Sequence, residues 1–254
     1  MSEAAYVNLE IKDTIGEITF FHPSHNSLPG EILEQLAKTI TAAGGDPDVK
    51  VIILKSGGDR TFCAGASFNE LVAIDNFEEG KKFFMGFANV INACRKCPKI
   101  IIGRVQGKAV GGGVGLAAAV DYCFASKFAS VKLSELTIGI GPFVVGPAVE
   151  RKIGVSSFSK LAINAGEFQS AAWALDKGLF HEVFDTTEEM DKAIQAFAQS
   201  LTGNSEEARQ LIKKVIWEGT EHWDQLLEER AAISGKLVLS DFTKHVLDKY
   251  KTVS

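Results

Sequence analysis

An α/β fold with parallel strands is predicted for this 254-residue chain by three observations. Val49 to Leu54 and Ile100 to Val105 are near-continuous apolar runs, the signature of strands buried on both faces. Segments of helical periodicity alternate with these runs, and glycines gather where a strand run hands over to a helix. Composition agrees with a globular protein: 46% of residues are hydrophobic and 23% charged.

Val7, Leu9 and Ile11 alternate with polar residues, and Ile15 to Phe21 repeats the extended pattern after a Lys12-Asp13 turn, so the chain opens with a hairpin. His22 to Gly30 is loop, and Ile32, Leu33, Leu36 and Ile40 lie at helical spacing. Gly44-Gly45 ends that helix and Asp46-Pro47-Asp48 turns the chain into the Val49 to Leu54 strand. The pattern repeats with a Gly57-Gly58 loop, a helix within Phe77 to Cys94 and the Ile100 to Val105 strand. A Gly111-Gly112-Gly113 cluster and a small-residue helix, Val114 to Val120, come next. Strand-like pieces at Tyr122 to Ala125, Val131 to Leu133 and His181 to Phe184 are interleaved with helices near Phe143 to Lys152, Ser157 to Ala165 and Ser170 to Lys177. From about Thr186 the pattern is helical only, and Val215, Trp217, Trp223, Leu226 and Leu227 supply apolar surface for docking. The chain therefore divides near residue 200 into an α/β core, 1–200, and a helical region, 201–254, packed together without a linker.

The formal net charge of −5 comes without a basic stripe, which argues against nucleic acid as a partner. Ala109 to Val120 and Leu136 to Val149 are the longest uncharged stretches, too short and too rich in glycine for a membrane span. Met1 to Glu10 lacks the features of a targeting signal, so a cytoplasmic location is expected. Four cysteines are few for this length and fit a reducing compartment. Cys94 and Cys97 form a C-x-x-C without a second pair, and the five histidines are scattered, so no metal site is expected.

Two glycine-bearing loops carry the functional signal. Thr61 to Phe68 follows a buried strand and precedes a helix, and its small residues allow the backbone close to a ligand. Lys108 to Leu116 repeats the arrangement. A helix N-terminus offers unpaired N–H groups and partial positive charge, so two such sites converging on one point make an oxyanion hole from backbone donors alone. For either loop by itself, a tight turn accounts for the glycines equally well. Nucleotide fingerprints do not fit: there is no G-x-x-x-x-G-K-[ST], and Gly111, Gly113 and Gly115 lack the G-x-G-x-x-G spacing.

Taken in order, Asn26-Ser27-Leu28, Phe62-Cys63-Ala64-Gly65-Ala66, the Gly107 to Leu116 cluster closing on Asp121, and Ser134-Glu135-Leu136-Thr137-Ile138-Gly139-Ile140-Gly141-Pro142-Phe143 resemble the enoyl-CoA hydratase/isomerase (crotonase) family. The resemblance implies a spiral of ββα turns, a helical C-terminal trimerisation region forming a homotrimer or a dimer of trimers, and acyl-CoA thioesters as substrates, with coenzyme A part of the substrate and no separate cofactor. It assigns the oxyanion donors to the N–H groups of Ala66 and Gly112, and substrate contacts to Ala64, Ser67, Phe68, Gly111 and, beside the CoA chain, His25.

One departure decides the expected chemistry. Hydratases of the family carry two glutamates; the second matches Glu135, but the first falls on Gly115. A single base removes a proton from C2 and returns it at C4, moving a double bond instead of adding water, and the segment around Glu135 is similar to that of the single-glutamate isomerases. Glu135 is thus the expected proton shuttle, with Leu133, Leu136, Ile138 and Phe143 placed to desolvate it. The competing expectations are a hydratase recruiting another carboxylate, Glu70, Asp75, Glu78 or Glu79, or a water network, a decarboxylase of a branched acyl thioester, and a non-catalytic acyl-CoA-binding scaffold. Lys213, Lys214, Lys236 and Lys244 have the residue type to meet CoA phosphates but match no motif.

Overall fold

The computed structural model describes residues 4–251. Its first elements are the hairpin β1 (Tyr6–Lys12) and β2 (Ile15–Phe21), joined through Asp13 and Thr14, both with positive φ, then the short β3 (Ser27–Leu28) and helix α1 (Gly30–Gly45). A two-strand unit then recurs. β4 (Val51–Ser56) leads to β5 (Thr61–Cys63) and β6 (Gly65–Ala66), returning through α2 (Phe68–Ala73) and α3 (Phe77–Lys96). β7 (Ile100–Val105) leads to β8 (Lys108–Val110) and α4 (Gly112–Ala119). β9 (Tyr122–Ser126) leads to β10 (Ser130–Lys132), a 3-10 turn at Glu135–Ile138 and α5 (Gly146–Ile163). After β11 (Gln169–Ser170), α6 (Ala171–Asp176) and β12 (Glu182–Phe184), the chain is helical: α7 (Thr187–Thr202), α8 (Glu206–Ile216), α9 (Trp223–Leu237) and α10 (Asp241–Lys251).

Each turn of this spiral adds one long strand to a six-stranded sheet, order β1-β2-β4-β7-β9-β12, and one short strand to a four-stranded sheet, order β11-β10-β8-β5. The long strands from β2 onward pair in parallel, with Ile15 opposite Val51 and Val51 opposite Ile100. The apolar runs are continuous because both faces are covered. Ile52, Leu54 and Ile101 point into the main core with α1, α3 and α4, whereas Val51, Ile53, Ile100 and Ile102 point the other way, onto Met190, Ile194 and Ala198 of α7.

The helices expected at Phe143 to Lys152 and Ser157 to Ala165 form one element, α5, interrupted where Gly154 takes φ +73°. The strand expected at Val49 to Leu54 is observed as Val51–Ser56, the chain entering the sheet with Lys50 N donating to Thr14 O at 2.8 Å. The helical region shares the core of the strands: Trp217, Trp223, Leu227 and Ala231 are buried in the same cluster as Ile52 and Leu116.

A buried ion pair ties that region to the sheet. Asp121, just before β9, accepts from Ile101 N at 2.8 Å, from Trp217 Nε1 at 2.8 Å and from Lys213 Nζ at 2.5 Å, with Asp121 and Lys213 side chains each only 3% exposed. Lys213 is therefore committed to the interior, away from any phosphate-binding role. Removing the carboxylate strands a buried ammonium and two N–H donors, whereas removing the ammonium leaves a carboxylate that still accepts two hydrogen bonds. Asp121→Ala is thus expected to lower stability by about 3–5 kcal/mol in urea unfolding, and Lys213→Met by distinctly less; equal losses would contradict this account.

Candidate active site

The short strands of the smaller sheet end side by side, and their C-terminal loops form the site. Asn26 sets the entrance of the first loop: it is buried, donates from Nδ2 to Gly57 O and Thr61 O at 2.9 Å each, and accepts from His22 N at 2.8 Å. Ser27 Oγ then donates to Ala66 O at 2.9 Å, holding that peptide in place. Gly65 (φ +94°) and Gly111 (φ +53°) adopt backbone conformations that side-chain-bearing residues rarely take.

The absence of side chains also lets the two loops touch. A Cβ on Gly113 would stand 2.4 Å from Cys63 O, and one on Gly65 would stand 3.3 Å from Val110 O and 3.8 Å from Gly112 N. Gly112 opens α4, so its N–H is among those that a helix leaves without an internal partner. Ala66 and Gly112 thereby come together from two separate loops, with the positive end of α4 behind them.

The third loop supplies the acid–base group. Gly111 N donates to Lys132 O at 2.8 Å, placing the end of β10 beside the glycine cluster, and Glu135 follows at the start of the 3-10 turn. Its Oε1 is 3.0 Å from the point where a Gly111 Cβ would sit, and its Oε2 is buried with no hydrogen-bond partner. Burial pushes the Glu135 carboxyl up to about 7 from the ordinary glutamate value of 4.5. A buried oxygen with nothing to accept from is costly in a native protein, and such exceptions concentrate where a ligand completes the bonding.

These groups face a cavity of about 350 Å3. Ala64, Ala66, Phe68, Gly111, Gly112 and Glu135 all line it. Two of the expected contacts lie outside the lining of this cavity. Ser67 turns its hydroxyl to Glu70 N at 3.3 Å to cap α2, and His25 is exposed on the β2–β3 turn; neither is among the residues lining the cavity. Asp75, Glu78 and Glu79 are exposed near the start of α3, and Glu70 accepts from Gly30 N at 2.9 Å. Among the described residues Glu135 is the only acidic side chain lining the cavity.

Much of the wall was not legible in the sequence. Phe83, Phe84 and Phe87 of α3, Val145 before α5 and Ser234 of α9 line the cavity, yet each reads in sequence as ordinary core or helix surface. The three phenylalanines signal only apolar helical spacing, which the core produces as well, and Val145 and Ser234 carry no such signal. Cys63, Cys94, Cys97 and Cys123 are free and buried, and burial pushes the thiols of Cys63, Cys94 and Cys123 up to about 12, far from a reactive thiolate. Among the described residues no three His, Cys, Asp or Glu side chains gather as a metal site requires, and no helix is long and apolar enough to cross a membrane.

Comparison with known proteins places this geometry. The family model described as enoyl-CoA hydratase/isomerase matches residues 10–251. The peroxisomal Delta(3,5)-Delta(2,4)-dienoyl-CoA isomerase of Arabidopsis thaliana is 29% identical, the match spanning 95% of this chain and 93% of the relative. The short-chain-enoyl-CoA hydratase of Clostridium acetobutylicum is 29% identical, over 84% of this chain and 81% of its own. The crystal structure of an enoyl-CoA hydratase from Bacillus halodurans superposes with a TM-score of 0.88 at 22% identity, covering 96% of this chain and 99% of that one, so the fold is the same. With a family model matched over nearly its whole length and two converging glycine loops in a crotonase fold, the chain belongs to the enoyl-CoA hydratase/isomerase family.

Proposed function

We propose that this chain is an enoyl-CoA isomerase that moves the double bond of a 3-enoyl-CoA to give a 2-enoyl-CoA by one-base proton transfer through an enolate. The observation that carries this reading is the solitary carboxylate: Glu135 is the one acidic side chain lining the cavity among the described residues. Addition of water calls for one group to take a proton from the water and another to protonate C2, whereas isomerisation needs a single group that alternates between the two tasks.

The thioester oxygen sits between the N–H groups of Ala66 and Gly112, with C2 toward Glu135. The ionised carboxylate takes a proton from C2; the electron pair spreads onto the thioester oxygen, where the two donors and the N-terminus of α4 stabilise it. As the double bond settles between C2 and C3, the protonated Glu135 returns the proton at C4. Atoms and charge balance without water or a cofactor. Preformed donors of this kind are worth about 3 kcal/mol of barrier each, and belonging to the backbone they are not removed by side-chain substitution.

Ala64, Phe68 and Gly111 serve as substrate contacts along the cavity. The apolar walls from Phe83, Phe84, Phe87 and Phe143 suit a hydrocarbon acyl chain. The assembly is a homotrimer or a dimer of trimers on this reading, supported by the exposed aliphatic side of α8, where Leu211, Ile212 and Val215 are each more than half exposed. Light scattering showing a monomer would remove this part of the proposal.

Glu135→Gln keeps the shape and removes the base, so turnover of a 3-enoyl-CoA should fall at least about 100-fold. The wild-type protein should isomerise a 3-enoyl-CoA much faster than it hydrates a 2-enoyl-CoA, and the reverse order would overturn the assignment. Because the base is the ionised form and burial raises its carboxyl to about 7 in the free protein, kcat/KM should rise with pH through that value and level off above it. Stability should run the other way. The folded state keeps the Glu135 proton at a pH where the unfolded chain, at 4.5, has released it, so ionisation costs nothing below 4.5 and its full penalty above 7. Glu135→Gln should therefore stabilise the protein at pH 8 by up to about 3 kcal/mol, an advantage that disappears toward acid pH in thermal or urea unfolding.

A further inference from the structure

Gly115 lies in the first turn of α4, buried and not itself lining the cavity that Gly111 and Gly112 line, and its Cβ direction meets Val145, which does line it. A Cβ there would fall 2.5 Å from Val145 Cγ1, 2.9 Å from Val145 Cβ and 3.6 Å from Ile91 Cδ1. Val145 is 4% exposed, lines the cavity and is anchored at the start of α5, where its carbonyl accepts from Val149 N at 3.1 Å. Its isopropyl group thus occupies the space that any side chain reaching the cavity from this part of α4 would need. No rotamer change at position 115 relieves the contact, because the clash begins at Cβ.

We propose that Val145 is the specificity-determining residue of this site: it fills the place of a second acid–base group, keeps water away from C3, and so commits the enzyme to moving the double bond. This rests on the isomerase reading above and deepens it. Hydration joins the water oxygen to C3, sends one water proton to a base on the α4 side, and moves the C2=C3 electron pair onto the thioester oxygen. The enolate then takes its C2 proton from Glu135, and the two carboxyl groups exchange protons with solvent to reset. With Val145 in place, both the receiving base and the room for water are missing, so a 2-enoyl thioester leaves as product.

The proposal makes Gly115 and Val145 a coupled pair, and the test follows from that. Wild type, Val145→Gly, Gly115→Glu and the double variant are assayed for hydration of a 2-enoyl-CoA and isomerisation of a 3-enoyl-CoA. The double variant is expected to hydrate at least 100-fold faster than wild type, whereas Gly115→Glu alone gains nothing and unfolds at lower temperature than the double. A Gly115→Glu variant that hydrates as fast as the double, or a double variant that folds yet hydrates no faster than Val145→Gly, overturns the proposal. Should the glutamate variants not fold, a second cycle decides: Gly115→Ala should lower the melting temperature more when residue 145 is valine than after Val145→Gly, and equal losses overturn it. Failure of wild type to isomerise any 3-enoyl-CoA would instead remove the isomerase reading, leaving the steric coupling and the hydration gain still measurable.

Discussion

The site depends on a close approach of backbone to backbone. Two chain segments arriving from adjacent short strands meet so tightly that a methyl group on Gly113 would stand 2.4 Å from Cys63 O. That contact sets the distance between Ala66 and Gly112, and hence whether two N–H groups from different loops can address a single oxygen. It also fixes where α4 begins, and with it the direction of the helix dipole. Electrostatic preorganisation here means that donors are already in position before charge develops, at a steric cost met during folding. Stacking β5, β8 and β10 in one sheet makes such an approach possible, because parallel strands with a common direction present their C-terminal loops at the same edge.

Around this backbone frame the chain carries an electrostatic liability and an electrostatic anchor. Glu135 is held where ionisation is penalised, with one oxygen lacking any partner. Asp121 is buried too but accepts from Ile101, Trp217 and Lys213. The contrast separates their roles: a satisfied buried charge locks α8 onto the sheet, whereas an unsatisfied one stores a tendency to take up a proton. A fold that tolerates the second needs rigidity from groups such as the first, since a mobile site would let water in and return Glu135 to ordinary glutamate behaviour.

The C-terminal helices also belong to the site. Ser234 of α9 lines the cavity, and Ile138, the last residue of the 3-10 turn bearing Glu135, and Ile140 just after it pack with Leu71 of α2 and with Val238 and Leu247 near and within α10. One cluster thus braces the helix that follows the first glycine loop and the turn that carries the base. The division near residue 200 describes where strands end; the packing continues across it.

The periodic elements were readable from sequence alone. The opening hairpin, the doubly buried strands, α1, α3 and the helical tail each announce themselves by a repeat of 2 or about 3.6, which depends on local residue order. The two glycine loops were readable as places of close approach, and Glu135 as a candidate base through resemblance to a family. β3, β5, β6 and β11 were not readable, because two or three residues carry no period and become strands only by pairing. Ser67 and His25 are expected near the substrate from resemblance to the family; the fold turns the Ser67 hydroxyl to cap a helix and leaves His25 exposed, outside the cavity. Sequence determined that a glycine stands at position 115; tertiary packing decided what that glycine means, because only in the folded chain does Val145, thirty residues away, move into the space that it leaves.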